Sequence, residues 1–136
     1  MTHSGNEAEQ LREDKQELEF LQRIAGRLPE DTEVMRALGD LYTRTGKTAE
    51  GLQVDERLSR LCSEDPVVWY NLACSFALSE RKEDALDALA RALELGYDDY
   101  EWMKKDTDLS SLHGEPRFES MLDWVYSTFE QITDGS

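Results

Sequence analysis

The stretch Pro66-Val67-Val68-Trp69-Tyr70-Asn71-Leu72-Ala73-Cys74-Ser75-Phe76-Ala77-Leu78 decides the fold together with its two successors, the polar Ser79-Glu80-Arg81-Lys82 and then Glu83-Asp84-Ala85-Leu86-Asp87-Ala88-Leu89-Ala90-Arg91-Ala92-Leu93. Val68, Trp69, Leu72, Ala73 and Phe76 keep the i, i+3, i+4 rhythm of one helix face. Ala85, Leu86, Leu89, Ala92 and Leu93 repeat it on a second helix, and Glu83-Asp84 opens that helix where its dipole favours acids. A polar turn as short as residues 79–82 obliges the two helices to pack antiparallel.

The same unit stands upstream. Val34, Leu38, Leu41 and Tyr42 form one face, Gly46-Lys47 the turn, and Leu52, Leu58 and Leu61 the next helix. Leu38-Gly39 precedes Leu72-Ala73 by 34 residues, so the chain carries an internal repeat. No run alternates apolar and polar over a strand length, and the Asp134-Gly135 pair has no room for a strand after it. The class expected is all-α.

Trp69-Tyr70-Asn71-Leu72-Ala73, with Phe76 beyond it and Ala85, Leu89 and Ala92 on the second helix, resembles the tetratricopeptide (TPR) repeat family and its W-x-x-L-G/A signature. Upstream, Leu38-Gly39, Tyr42 and Gly46 match, whereas Gly51 stands for an alanine and Asp55 for an aromatic, so that repeat is degenerate. The resemblance implies a short TPR solenoid of antiparallel helix pairs with N- and C-terminal capping helices. Gly39 and Ala73 are small because paired helices approach closely, and a larger side chain there would overpack the contact by ~1–3 kcal/mol. Residues 1–10 are expected to be disordered, and 11–133 to form a single domain. Within it, 11–29 is a capping helix, 32–65 the degenerate repeat, 66–99 the well-matched repeat and 100–133 a divergent C-terminal unit. In that last unit Asp106-Thr107-Asp108-Leu109-Ser110-Ser111-Leu112 reads as a capped helical turn. Pro116 opens a final helix whose face is Phe118, Met121, Leu122, Val125 and Phe129.

Thirty acidic and 15 basic residues leave a formal net charge of −15, a poor match for nucleic acid or an anionic membrane. No stretch is apolar enough to span a bilayer, and the polar start lacks a secretory core, so a cytoplasmic location is expected. Cys62 and Cys74 have no metal spacing, and His3 and His113 complete no cluster with them; two reduced thiols are expected, with no metal and no cofactor. No Gly-rich phosphate loop, zinc motif or nucleophile elbow is present, and the chain is not expected to be an enzyme.

In the TPR family the first helix of each repeat lines a concave groove. The resemblance therefore places Arg36, Asp40, Thr43, Arg44, Tyr70, Asn71, Cys74, Leu78, Lys104 and Lys105 at a partner-binding surface. Arg36, Arg44, Lys104 and Lys105 are expected as a basic rim around Tyr70 and Asn71, suited to an acidic segment of a partner protein. The carboxylate-gripping clamp of chaperone-binding members matches at Asn71 but is contradicted by Asp40, which would repel a carboxylate. Size and repeat count are similar to the bacterial kinesin light chain family, whose members accompany bacterial tubulins. That implies a partner among tubulin-like filaments and a role in linking them to membrane, with lipid contact around Trp102-Met103-Lys104-Lys105. The alternative is an adaptor taking a short acidic peptide of an assembly or secretion system. With both ends capped, a monomer in isolation is expected.

Overall fold

The computed structural model describes residues 2–130, with side chains placed for 6–129; residue 1, and residues 131–133 of the expected C-terminal unit, lie outside the described residues. Among the described residues the fold is all-α, without a strand. Seven α-helices run in order: α1 Thr2–Arg27, α2 Thr32–Arg44, α3 Thr48–Leu61, α4 Pro66–Leu78, α5 Lys82–Glu94, α6 Tyr100–Lys105 and α7 Pro116–Val125. A 3-10 segment, Thr107–Leu112, lies between α6 and α7, and a π-helical turn, Tyr126–Glu130, comes after α7. α1 thus covers all but the last two residues of the capping helix expected over 11–29, and residues 2–10, expected to be disordered, continue it as helix. The chain divides into two compact units, Met1–Leu58 and Ser59–Ser136.

The first unit is built on α1 and α2. Leu18, Leu38, Leu41 and Tyr42 form its buried cluster, with Leu21, Ala25 and Val54 packed against it. Burying a Leu-sized side chain contributes ~1.5–3 kcal/mol, so these few residues outweigh the polar length of α1. Gln22 Nε2 donates to the Tyr42 hydroxyl at 3.0 Å, giving that half-apolar side chain a partner at its wet end. The degenerate positions have a packing reason. A Cβ on Gly39 would lie 2.9 Å from Asp55 Oδ1, and one on Gly51 would lie 3.2 Å from Thr43 Oγ1. The helices approach closely at both glycines, and buried Asp55 occupies the space against Gly39.

The second unit is denser. Leu86, Leu89, Met103, Leu109, Leu112, Phe118 and Val125 are fully buried. Ala73, Ala85 and Ala92 are each 0% exposed, so the small residues sit where α4 and α5 press together. α4 also packs on the 3-10 segment, and α7 on α5 and α6.

Local structure recurs along the chain. Asp31, Asp65 and Asp99 each cap a helix, their carboxylates accepting from the amides of Val34, Val67 and Trp102, and they stand 34 residues apart. Gly46, Glu80 and Gly114 are also 34 residues apart, and all three have positive φ, of +81°, +61° and +89°. A left-handed residue closes a helix by turning its last carbonyls onto following amides, which glycine does without a Cβ penalty. Glu80 does it with one. The recurrence continues past residue 99, although α6 stops after six residues. It stops at Asp106, whose backbone is extended (φ −64°, ψ 114°) and whose side chain caps the 3-10 segment by accepting from Asp108 N at 3.0 Å.

Candidate functional site

The second unit holds a cleft of about 430 Å³ beside the first half of α4, lined by Pro66, Val67, Tyr70, Asn71, Trp102 and the 96–99 connection. Three causes shape it. Asp65 caps α4 and Pro66 fills its first turn, which starts the helix at this point rather than later. Gly96, at φ +107°, turns the chain out of α5. Asp99 then starts α6 by accepting from Trp102 N at 3.1 Å, which brings the indole beside α4.

Tyr70 forms the inner wall. Its hydroxyl donates to Asp106 Oδ2 at 2.7 Å, and its ring stacks on Tyr97 with centroids 4.2 Å apart and planes 7° from parallel. Tyr70 is 3% exposed and Asp106 6%. Burial, then the Cys74 and Asp106 groups beside it, pushes the Tyr70 phenol far above its ordinary range. Burial likewise raises Tyr97. Both rings are neutral at ordinary pH, so the wall is aromatic and uncharged. Cys74 Sγ lies 3.7 Å from Asp106 Oδ2, and the Cys74, Asp106 and Asp108 ligand atoms fall within 4.8 Å of one another. Both Asp106 oxygens already accept hydrogen bonds, from Tyr70 and from the Asp108 amide, and this capping role accounts for the cluster. Asp108 is raised by burial and by the neighbouring Asp106 carboxylate.

The expected groove residues are spread over both units. In the first unit Arg36 and Thr43 are half-buried and Asp40 and Arg44 exposed. The Arg44 guanidinium is engaged within that unit, 3.6 Å from Asp14 and 3.7 Å from Glu17 of α1. In the second unit Tyr70 and Asn71 share the cleft, Asn71 exposed. Cys74 is buried behind it and Leu78, at the far end of α4, is exposed. Lys104 and Lys105 are exposed but do not line the cleft; the Lys104 ammonium sits 5.5 Å from the Tyr100 ring centroid. The charged residues that do line it are Asp98 and Asp99.

Tyr97, Asp98, Asp99 and Trp102 line the cleft although the sequence reading does not place them in the groove. Asp99 was within reach, because it repeats Asp31 and Asp65 at the 34-residue spacing. The expectation of lipid contact groups Trp102 with Met103. The structure separates them, with Trp102 48% exposed at the cleft and Met103 fully buried. A second, more apolar cleft of about 330 Å³ is lined by Ala90, Leu93, Glu94, Ser120, Met121 and Trp124. It has one aromatic ring, Trp124, and one carboxylate, Glu94, but no side-chain amide and no second carboxylate, and converging polar groups are what give a pocket selectivity.

Among the described residues, no helix is long and apolar enough to cross a membrane. No family model matches the chain. Over 87 residues it is 30% identical to a chloroplastic protein of Arabidopsis thaliana, a match that takes in 60% of this chain and 25% of that protein. The chain therefore spans about a quarter of the length of the curated relative it matches.

Proposed function

We propose that the chain is a non-catalytic, protein-binding module of the TPR kind, working in the cytoplasm, that holds a segment of a partner protein in the cleft beside α4. The observation that carries the reading is the 34-residue recurrence of a capping aspartate (Asp31, Asp65, Asp99) and a left-handed turn residue (Gly46, Glu80, Gly114). It supports three units, each a helix pair with its members antiparallel. The third has its first helix broken at Asp106 into α6 and the 3-10 segment. Fully buried Ala73, Ala85 and Ala92 agree with close helix pairing in the second unit. The cleft offers what a short segment needs: exposed Val67 and Trp102 for apolar contact and the exposed Asn71 amide for backbone hydrogen bonds.

The partner proposed is a tubulin-like filament of bacteria, on the strength of the sequence resemblance to the bacterial kinesin light chain family. Co-sedimentation of the full chain with assembled bacterial tubulin tests it, alongside Asn71→Ala/Trp102→Ala. The wild type is expected in the pellet and the double variant in the supernatant. Wild type that stays in the supernatant removes the filament partner. Equal pelleting of both moves the contact away from the cleft.

A further inference from the structure

We propose that this cleft selects a basic segment of its partner: an arginine or lysine side chain, next to an apolar residue, laid against Trp102 with its charge facing Asp98 and Asp99. The inference rests on the protein-binding reading above and specifies the chemistry of what is bound. Three observations point the same way. The charged groups lining the cleft are both carboxylates. Asp99 uses one oxygen on the Trp102 amide, and a carboxylate has lone pairs to accept more than one donor. Trp102, 48% exposed, presents aromatic surface at the cleft, while neighbouring Met103 is fully buried. Indole is the best of the side-chain rings for a cation, and guanidinium the cation that stacks on it most readily.

The wall agrees with them. Stacked Tyr70 and Tyr97 add neutral aromatic surface, and the Asp106 carboxylate lies directly behind the Tyr70 hydroxyl at 2.7 Å. Negative charge therefore stands both beside and behind the rings. Val67, 48% exposed, gives the adjoining apolar residue its contact. An acidic segment would meet only like charge here, whereas a net charge of −15 steers basic segments toward the chain from a distance.

The test is selection of peptides from a random-peptide phage library on the full chain, followed by binding of the resynthesised winners to wild type, Trp102→Ala and Asp98→Asn. Both substituted residues are exposed, and circular dichroism checks that the variants remain folded. Enriched peptides are expected to carry Arg or Lys beside an apolar residue and to lose about 10-fold in affinity in Trp102→Ala, the scale of a partly desolvated cation–π contact. Their affinity should also fall as salt rises, since exposed carboxylates are screened. Acidic or neutral winners, or basic winners that bind both variants as well as wild type, overturn the basic-segment inference and leave protein binding standing. Failure to enrich any peptide counts against both.

Discussion

Replacing Tyr70 by Phe removes one oxygen atom, and the structure says what that atom does. The Tyr70 hydroxyl donates to Asp106 Oδ2 at 2.7 Å, and both residues are buried. Phe keeps the ring, its stacking on Tyr97 and nearly all its volume, so no cavity term of consequence arises. The loss is a hydrogen bond to a carboxylate, for which ~1.5–3 kcal/mol is typical, because the buried acceptor is left with less than water would have given it. We expect the second unit to lose about 2 kcal/mol. At roughly 3–4 °C per kcal/mol for a chain of this size, the unfolding midpoint should fall by about 6–8 °C. Urea unfolding followed by near-ultraviolet circular dichroism reads it. A double-mutant cycle with Asp106→Asn should then show coupling of ~1–2 kcal/mol, since the residues are in direct contact. A Tyr70→Phe cost below about 0.5 kcal/mol, or two single changes that simply add, would refute the view that this pair fastens α4 to the 3-10 segment.

Other consequences are equally direct. Glu80→Gly should stabilise by ~0.5–1 kcal/mol in thermal unfolding, because Glu80 holds φ +61° at the turn where Gly46 and Gly114 hold similar angles without a Cβ. Gly39→Ala should destabilise by ~1–3 kcal/mol in denaturant, because its Cβ would lie 2.9 Å from Asp55 Oδ1 and 3.4 Å from Val54 Cγ1. Tyr70 and Tyr97 both have folded-state pKa values raised above the ordinary phenol value near 10. Their contribution is whole below about pH 10 and is lost as pH climbs above it, since the unfolded phenols ionise first. Absorbance titration should therefore show Tyr70 and Tyr97 ionising only as the fold is lost.

Much of this was legible before any coordinates, because it is local. The start of α4 is spelled by Asp65-Pro66, a capping carboxylate followed by a ring that needs no amide partner. The 3-10 turn is spelled by Asp106 and Asp108, and the final helix by Pro116 with Phe118, Leu122 and Val125 buried on its face. The second-unit core was written in the 3.6-residue rhythm. The packing behind the deviations was not legible in the same way. Gly51 and Asp55 read as decay of a repeat, yet each fits a close contact with α2. Identity at one position does not reveal what faces it.

The site divides along the same line. The sequence by itself determined the helical class and the 34-residue period, and it set Tyr70 and Asn71 at adjacent positions of α4. It did not determine the charge of the surface they share. That depended on where the chain after α5 returns, and Gly96 and the Asp99 cap return it with Asp98, Asp99 and Trp102 against α4, while Lys104 and Lys105 fall outside the cleft. Nor did it show that Arg44 turns to Asp14 and Glu17. Local hydrogen bonds and periodicity are short-range and written in neighbouring residues; electrostatic character is the sum over groups distant in sequence, and only the tertiary structure decides which of them meet.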